Sequence, residues 1–402
     1  MSFFKTYSKQ LPALVIIACG VFLCLEILRD IQREGDLGGY IEAGKLAWQG
    51  DYIYSAHRNT WPPFMSIASI PLHWLNQVSF VGLRLVWLLS MLATYWLIFK
   101  WTISFFTSKE LVFKLSSKNK NEISLTNPLF LLPFLLTLRI FIEEISNLQV
   151  NVSILAICIL SLILTLKQKH FWAGILLALV ISTKVYPIIL IPFLLFRREF
   201  RTTLWTIMGL GLTHILVLFY FGDGSIALYT QWYTKQVANG LQCIHYNQSL
   251  WSFFCGLFSE TSRFDGWYFN IASLTVSQTK ILTISVIGSI GLWVSYMFYK
   301  NRNQEHALAI QWLIVLSFIP VFSPLAWKCY FVFIAPIVIS LYLKLKNTPN
   351  KWLLYIPLFI ITFTSEIFLG NTLSDITESL GFITLSSLFI ALLATYKLTN
   401  TP

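Results

Sequence analysis

Apolar runs on the scale of a bilayer recur along almost the whole chain, and no other property restricts its fold as much. They fall at 11–28, 80–106, 128–143, 148–166, 170–183, 185–197, 203–221, 280–299, 307–322, 329–346, 351–369 and 380–397, about twelve in all, with Pro187 and Pro192 interrupting the sixth. Hydrocarbon cannot satisfy an open backbone, so such a chain is expected to fold as an all-α polytopic bundle. Only 12% of the residues are charged and the mean hydropathy is +0.67, which excludes an ordinary soluble domain. Lys5 and Lys9 precede the first run, which ends at Arg29 and Asp30 with no small-residue cleavage site. It reads as a retained first span.

The charges give a topology. With the N-terminus inside, the inner loops collect Lys109, Lys114, Lys118 and Lys120, then Lys167 and Lys169, then Arg197, Arg198 and Arg201, then Lys300 and Arg302, and finally Lys344, Lys346 and Lys351. The short outer segments 144–147 and 370–379 carry no Lys or Arg. This alternation follows the positive-inside rule if 61–76 does not cross the membrane. That segment is short, holds Pro62, Pro63 and Pro71, and has Trp61 and Trp74 near its ends, which suits an interfacial helix. Two large segments, 29–79 and 222–279, then face outward from one membrane domain spanning 1–402. The net charge of +11 is spread over loops without a basic, aromatic-interleaved stripe, so no nucleic-acid partner is expected. Membrane lipids are the expected surroundings.

One polar stretch stands out, REGDLGGYIEAGKLAWQGDYIY at 33–54. Leu37, Tyr40, Ile41, Gly44, Ala47 and Trp48 recur at helical spacing, Gly50 is a stop signal, and Asp36 falls where an N-cap is expected. A capping role is the plain reading of such an aspartate. The alternative is chemical: a carboxylate just beyond a span, between two interfacial helices, would meet the reactive end of a lipid-borne substrate where water is depleted. Cys243 and Cys255 share one polar loop and would pair if that loop faces an oxidising compartment.

Asp36, Tyr40, Ala43, Gly50 and Tyr54, followed by Trp61, Pro62, Pro63 and Pro71, resemble the first-loop signature of glycosyltransferase family 87, the polyprenol-phosphate-mannose-dependent mannosyltransferases of the GT-C superfamily. The similarity continues through NLQVNVSILAICILSLIL at 147–164, a long stretch at 173–201 with Lys184 and Pro187, NQSLWSFF at 247–254 and SPLAWKCYF at 323–331. Leu148 stands where the family usually has glycine, and Cys329 where a histidine is expected. The resemblance implies a GT-C bundle whose first outer loop carries two juxtamembrane helices, here about 37–49 and 61–76. It implies an inverting transfer of mannose or another hexose from a polyprenyl-phosphate carrier to a lipid or glycan acceptor, on the extracytoplasmic face of a cell (cytoplasmic or inner) membrane. Asp36 matches the position of the family's base.

Such a reaction needs a base, cations or donors on the departing phosphate, and a dry sugar pocket. Asp36 is the candidate base, and Lys184, Lys328 and Arg58 are the candidate phosphate cations, each of which also reads as an interfacial charge. Tyr40, Trp61, His245, Asn247 and Gln248 are candidate sugar contacts. No ligand set surrounds His245 and no phosphate-cradling glycine loop is present, so neither metal nor cofactor is expected. A transporter or flippase of a lipid-linked saccharide, or a non-catalytic glycolipid-binding subunit, shares the composition. Transporters, however, tend to carry repeats and midplane charges, whereas these charges cluster at span ends.

Overall fold

The computed structural model describes residues 2–56, 59–237, 243–244, 246–259 and 270–399. The described chain is almost wholly helical: α1 (Ser2–Asp30), α2 (Gly35–Gln49), α3 (Pro63–Ala68), α4 (Ile70–Val78), α5 (Phe80–Thr107), α6 (Pro128–Ser146), α7 (Asn151–Leu166), α8 (His170–Thr183), α9 (Leu190–Phe196), α10 (Phe200–Phe221), α11 (Gly224–Gln231), α12 (Leu250–Phe258), α13 (Val276–Lys300), α14 (Ala307–Phe322), α15 (Ala335–Leu345), α16 (Trp352–Phe363), α17 (Glu366–Ser379) and α18 (Phe382–Thr399). Between α5 and α6, Glu110–Leu111 pairs in parallel with Glu122–Ile123.

Among the described residues six helical segments are long and apolar enough to cross a bilayer, and up to eight if each bent pair counts as one span. About twelve runs were legible in the sequence. The difference lies in chain breaks: α6 and α7 meet at 120°, the segments on either side of Thr364 and Ser365 at 89°, and α8, Tyr186–Phe196 and α14 are shorter than a full crossing. The run expected to continue through 351–369 therefore stops at Phe363, where α17 turns away. The interfacial helix expected over 61–76 is likewise two short helices, α3 and α4, that meet at Ser69. Neither is long enough to span.

Asp36 is not the N-cap of α2. That position is Glu34, and Asp36 is the second helical residue, so its side chain is released from capping. Its carboxylate still lies in the first turn, where the helix dipole favours a negative charge. Gly50 ends the helix in the left-handed region at φ 74°.

The ends of α1 and α2 are tied to the α6–α7 break. Arg29 bridges Glu26 and the fully buried Asp30, and its Nη2 donates to Ser146 Oγ at 3.1 Å. Seven residues on, the Asp36 amide donates to the Asn147 carbonyl at 2.9 Å. Gly44 lets α2 lie directly on the α3–α4 junction, because a Cβ there would sit 2.3 Å from the Ser69 carbonyl oxygen. The apolar core gathers around Trp312 of α14, Phe331 and Phe333 of the turn before α15, and a stacked Tyr95–Phe141 pair that joins α5 to α6 at 3.9 Å between ring centroids.

Candidate active site

The α6–α7 break holds a cluster of buried polar side chains. Three amide or carboxyl side chains, Glu144, Gln149 and Asn151, are buried there among apolar helices, which is tolerable only if each is fully bonded. Glu144 Oε1 accepts from the Val152 amide at 2.7 Å and Oε2 from Asn151 Nδ2 at 2.9 Å, so this carboxylate caps the start of α7. Asn151 Oδ1 is thereby turned the other way, accepting from Tyr186 Oη at 2.7 Å and Lys184 Nζ at 3.1 Å.

Gln149 connects this cluster to α2. Its Oε1 accepts from Lys184 Nζ at 2.7 Å and Tyr40 Oη at 3.1 Å, and its Nε2 donates to Asp36 Oδ2. These donors, with Asn151 Nδ2 at 3.5 Å as a third, fix the orientation of the amide, since a flipped Gln149 would set its NH2 against an ammonium group. Lys184 reaches this point because it is itself the extended residue that ends α8, before the Tyr186–Ile189 turn. Its ammonium also lies 5.0 Å from the Tyr330 ring centroid. Four separate stretches of chain thus converge on Asp36: α2, the α6–α7 break, the end of α8 and the turn before α15.

Tyr40 is fully buried and packs against Trp61, itself buried, with 4.4 Å between ring centroids and the rings tilted by 52°. Burial, with the nearby Asp36 carboxylate as a smaller contribution, pushes the Tyr40 hydroxyl well above its ordinary range. It stays protonated and can only strengthen its donation to Gln149. Cys329, at the position where a histidine was expected, is buried within electrostatic reach of Lys184 and Asp36.

Leu148 takes φ 49°, a left-handed conformation unusual for a residue with a branched side chain. The turn itself explains why glycine suits that position, and here Leu148 fills it with a fully buried side chain.

The other candidates lie apart from this cluster. Lys328 donates to Glu378 Oε1 at 2.8 Å and to Glu366 Oε1 at 3.4 Å, both on α17. Asn247 and Gln248 are fully buried and bonded largely to backbone. Asn247 donates to the Pro324 carbonyl at 3.0 Å and accepts from the Ala326 amide at 2.9 Å, while Gln248 Nε2 donates to the Glu378 carbonyl at 3.2 Å. These bonds clamp the 323–328 turn. Cys243 and Cys255 are joined in a disulfide that anchors the preceding loop to α12. Arg58 and His245 lie outside the described residues.

Gln149, Asn151, Glu144 and Tyr186 were missed as site residues. For Gln149 and Asn151 the signal is in NLQVN, three amides crowded into a break between two apolar runs, where unsatisfied polar groups are expensive.

These features define a class, a multi-pass helical membrane protein with a buried polar site gathered at a break between helices. The sequence model of glycosyltransferase family 87 matches residues 59–324, well over half the chain, and the protein belongs to that family. No curated protein and no solved structure matched the chain. Asp36 lies upstream of the matched region and Lys328 just beyond it.

Proposed function

We propose that this membrane glycosyltransferase is of the GT-C type, transferring a hexose such as mannose from a polyprenyl-phosphate carrier to a lipid-linked or glycan acceptor with inversion. The observation that carries the proposal is the carboxylate of Asp36, held at the start of α2 by an amide that a buried lysine and a buried tyrosine orient. Asp36 takes the proton of the attacking hydroxyl as its oxygen bonds to the anomeric carbon. The bond from that carbon to the phosphate oxygen breaks on the opposite face, and the phosphate leaves with the electron pair. Lys184, whose protein partners are neutral amide oxygens, stabilises that departing charge. The Tyr40–Trp61 pair gives the sugar an aromatic wall and keeps water out.

The site is proposed to face the extracytoplasmic side of a cell membrane, with 29–79 and 222–279 as outer segments. The Cys243–Cys255 bond supports this, because disulfides persist in oxidising compartments. The test is the purified full chain in phosphatidylglycerol-containing vesicles with a radiolabelled polyprenyl-phosphate sugar and an extracted glycolipid acceptor. A new glycoside of inverted anomeric configuration is expected. Movement of label across the bilayer with no glycoside formed would replace this reading with a transporter.

A further inference from the structure

Three tyrosines stand around the Lys184, Gln149 and Asn151 contacts, and their hydroxyls are used differently. Tyr40 donates to Gln149 Oε1 at 3.1 Å and Tyr186 to Asn151 Oδ1 at 2.7 Å, the same two amide oxygens that accept from the Lys184 ammonium. Tyr330, partly buried in the turn before α15, is the third. Its ring centroid lies 5.0 Å from Lys184 Nζ and 5.2 Å from that of Tyr186, with the two rings tilted by 52°. It also lies within electrostatic reach of Asp36. Yet among the described residues its hydroxyl has no hydrogen-bond partner. Lys184 is in a similar position, since an ammonium carries three N–H groups and hydrogen bonds to described residues use two of them.

Two donors without a protein acceptor thus share the surroundings of one ammonium whose hydrogen-bond partners are neutral amides. A ligand group that satisfies both must accept, and the ammonium favours an anionic acceptor. A sugar hydroxyl suits the place less well, because it brings a proton of its own and the acceptor for that proton here is Asp36. A phosphate ester offers acceptor oxygens only. We propose that the Tyr330 hydroxyl donates a hydrogen bond to a non-bridging oxygen of the carrier phosphate, beside Lys184. Its place in catalysis rests on the transfer reading above: as the bond to the anomeric carbon breaks, negative charge grows on the phosphate and the donation strengthens. The phenol keeps its proton throughout, so no covalent bond to Tyr330 forms or breaks. Lys184 and Tyr330 approach the phosphate from separate stretches of chain, the end of α8 and the turn before α15.

The test is equilibrium binding of farnesyl phosphate, and of farnesol as the same chain without phosphate, to the purified full chain and to Tyr330→Phe. Phenylalanine keeps a ring beside Lys184 and Tyr186 and removes only the hydroxyl. The native chain should prefer farnesyl phosphate to farnesol, and Tyr330→Phe should bind the phosphate about tenfold more weakly with farnesol binding unchanged. In the transfer assay the same variant should lower kcat about 10- to 100-fold. Phosphate binding by Tyr330→Phe within about threefold of the native value overturns the proposal. So does an equal loss for farnesol, which would make Tyr330 a packing residue, or a native chain that does not distinguish the two ligands. Tyr330-dependent phosphate binding with no glycoside formed would end the transfer reading and leave the contact standing. Transfer unaltered in Tyr330→Phe would do the reverse.

Discussion

Lys184 and Lys328 both sit at the end of a helix or turn with most of the side chain buried, yet their partners differ in kind. Lys328 meets the carboxylates of Glu378 and Glu366, so its charge is balanced within the protein. Among the described residues Lys184 donates to the amide oxygens of Gln149 and Asn151 and forms no ion pair, and Gln149 bridges it to the Asp36 carboxylate. A lysine kept beside a carboxylate but bonded to an amide retains charge for a ligand, whereas a paired lysine braces the fold. In the proposed mechanism the two lysines do different work: phosphate stabilisation for Lys184, and anchoring of the 323–328 turn on α17 for Lys328.

Lys184→Met tests the first half and carries the largest effect among the lysine-centred variants. Removing one charge-stabilising donor from a buried site is expected to lower kcat/KM for transfer about 100- to 1,000-fold, read from initial rates of labelled product. Gln149→Leu comes next. It leaves both Asp36 and Lys184 but removes what separates and aims them, and should lower kcat about 10- to 100-fold with donor KM changed far less. Equal losses in kcat and binding would point to general collapse of the cluster instead.

Lys328→Met should reduce transfer less than about tenfold, and a loss as deep as that of Lys184→Met would erase the distinction between the two lysines. Glu378→Gln sharpens it from the other side. It leaves Lys328 without its closest carboxylate and should cost about 2 kcal/mol of stability, seen as a lower unfolding midpoint in detergent, with transfer at permissive temperature nearly unchanged. The smallest effect on transfer is expected from Cys255→Ser, which opens a loop of sequence separation 12. Loss of the cross-link should loosen that loop by about 3 kcal/mol, measured as faster proteolysis between α11 and α12.

Much of the helix pattern was legible because apolar runs are long-range, redundant signals. The runs at 80–106, 170–183 and 307–322 correspond within a residue to α5, α8 and α14. What did not transfer was where helices break. Pro71 seated in the first turn of α4 divides 61–76, and the bend at Thr364–Ser365 divides the late run, both local events that a hydropathy window averages away. Within the site, Asp36, Tyr40, Trp61 and Lys184 were nominated from sequence, and the structure brings all four together. Asn247 and Gln248 carried the same polar signal, but their amides are used by backbone groups, a difference set by distant residues at 324–326 and 378. Gln149 is not legible as a site residue in the sequence because its importance comes from what stands on either side of it, Asp36 and Lys184, both distant in the chain.

The most direct measurement is single-turnover transfer by Asp36→Asn, with donor binding measured on the same preparation. The amide keeps the size of the side chain and a hydrogen bond to Gln149 but cannot take a proton, so transfer should fall about 100- to 10,000-fold while the donor still binds. Transfer within about threefold of the native chain would mean that another group accepts the proton, and the role given to Asp36 would be wrong.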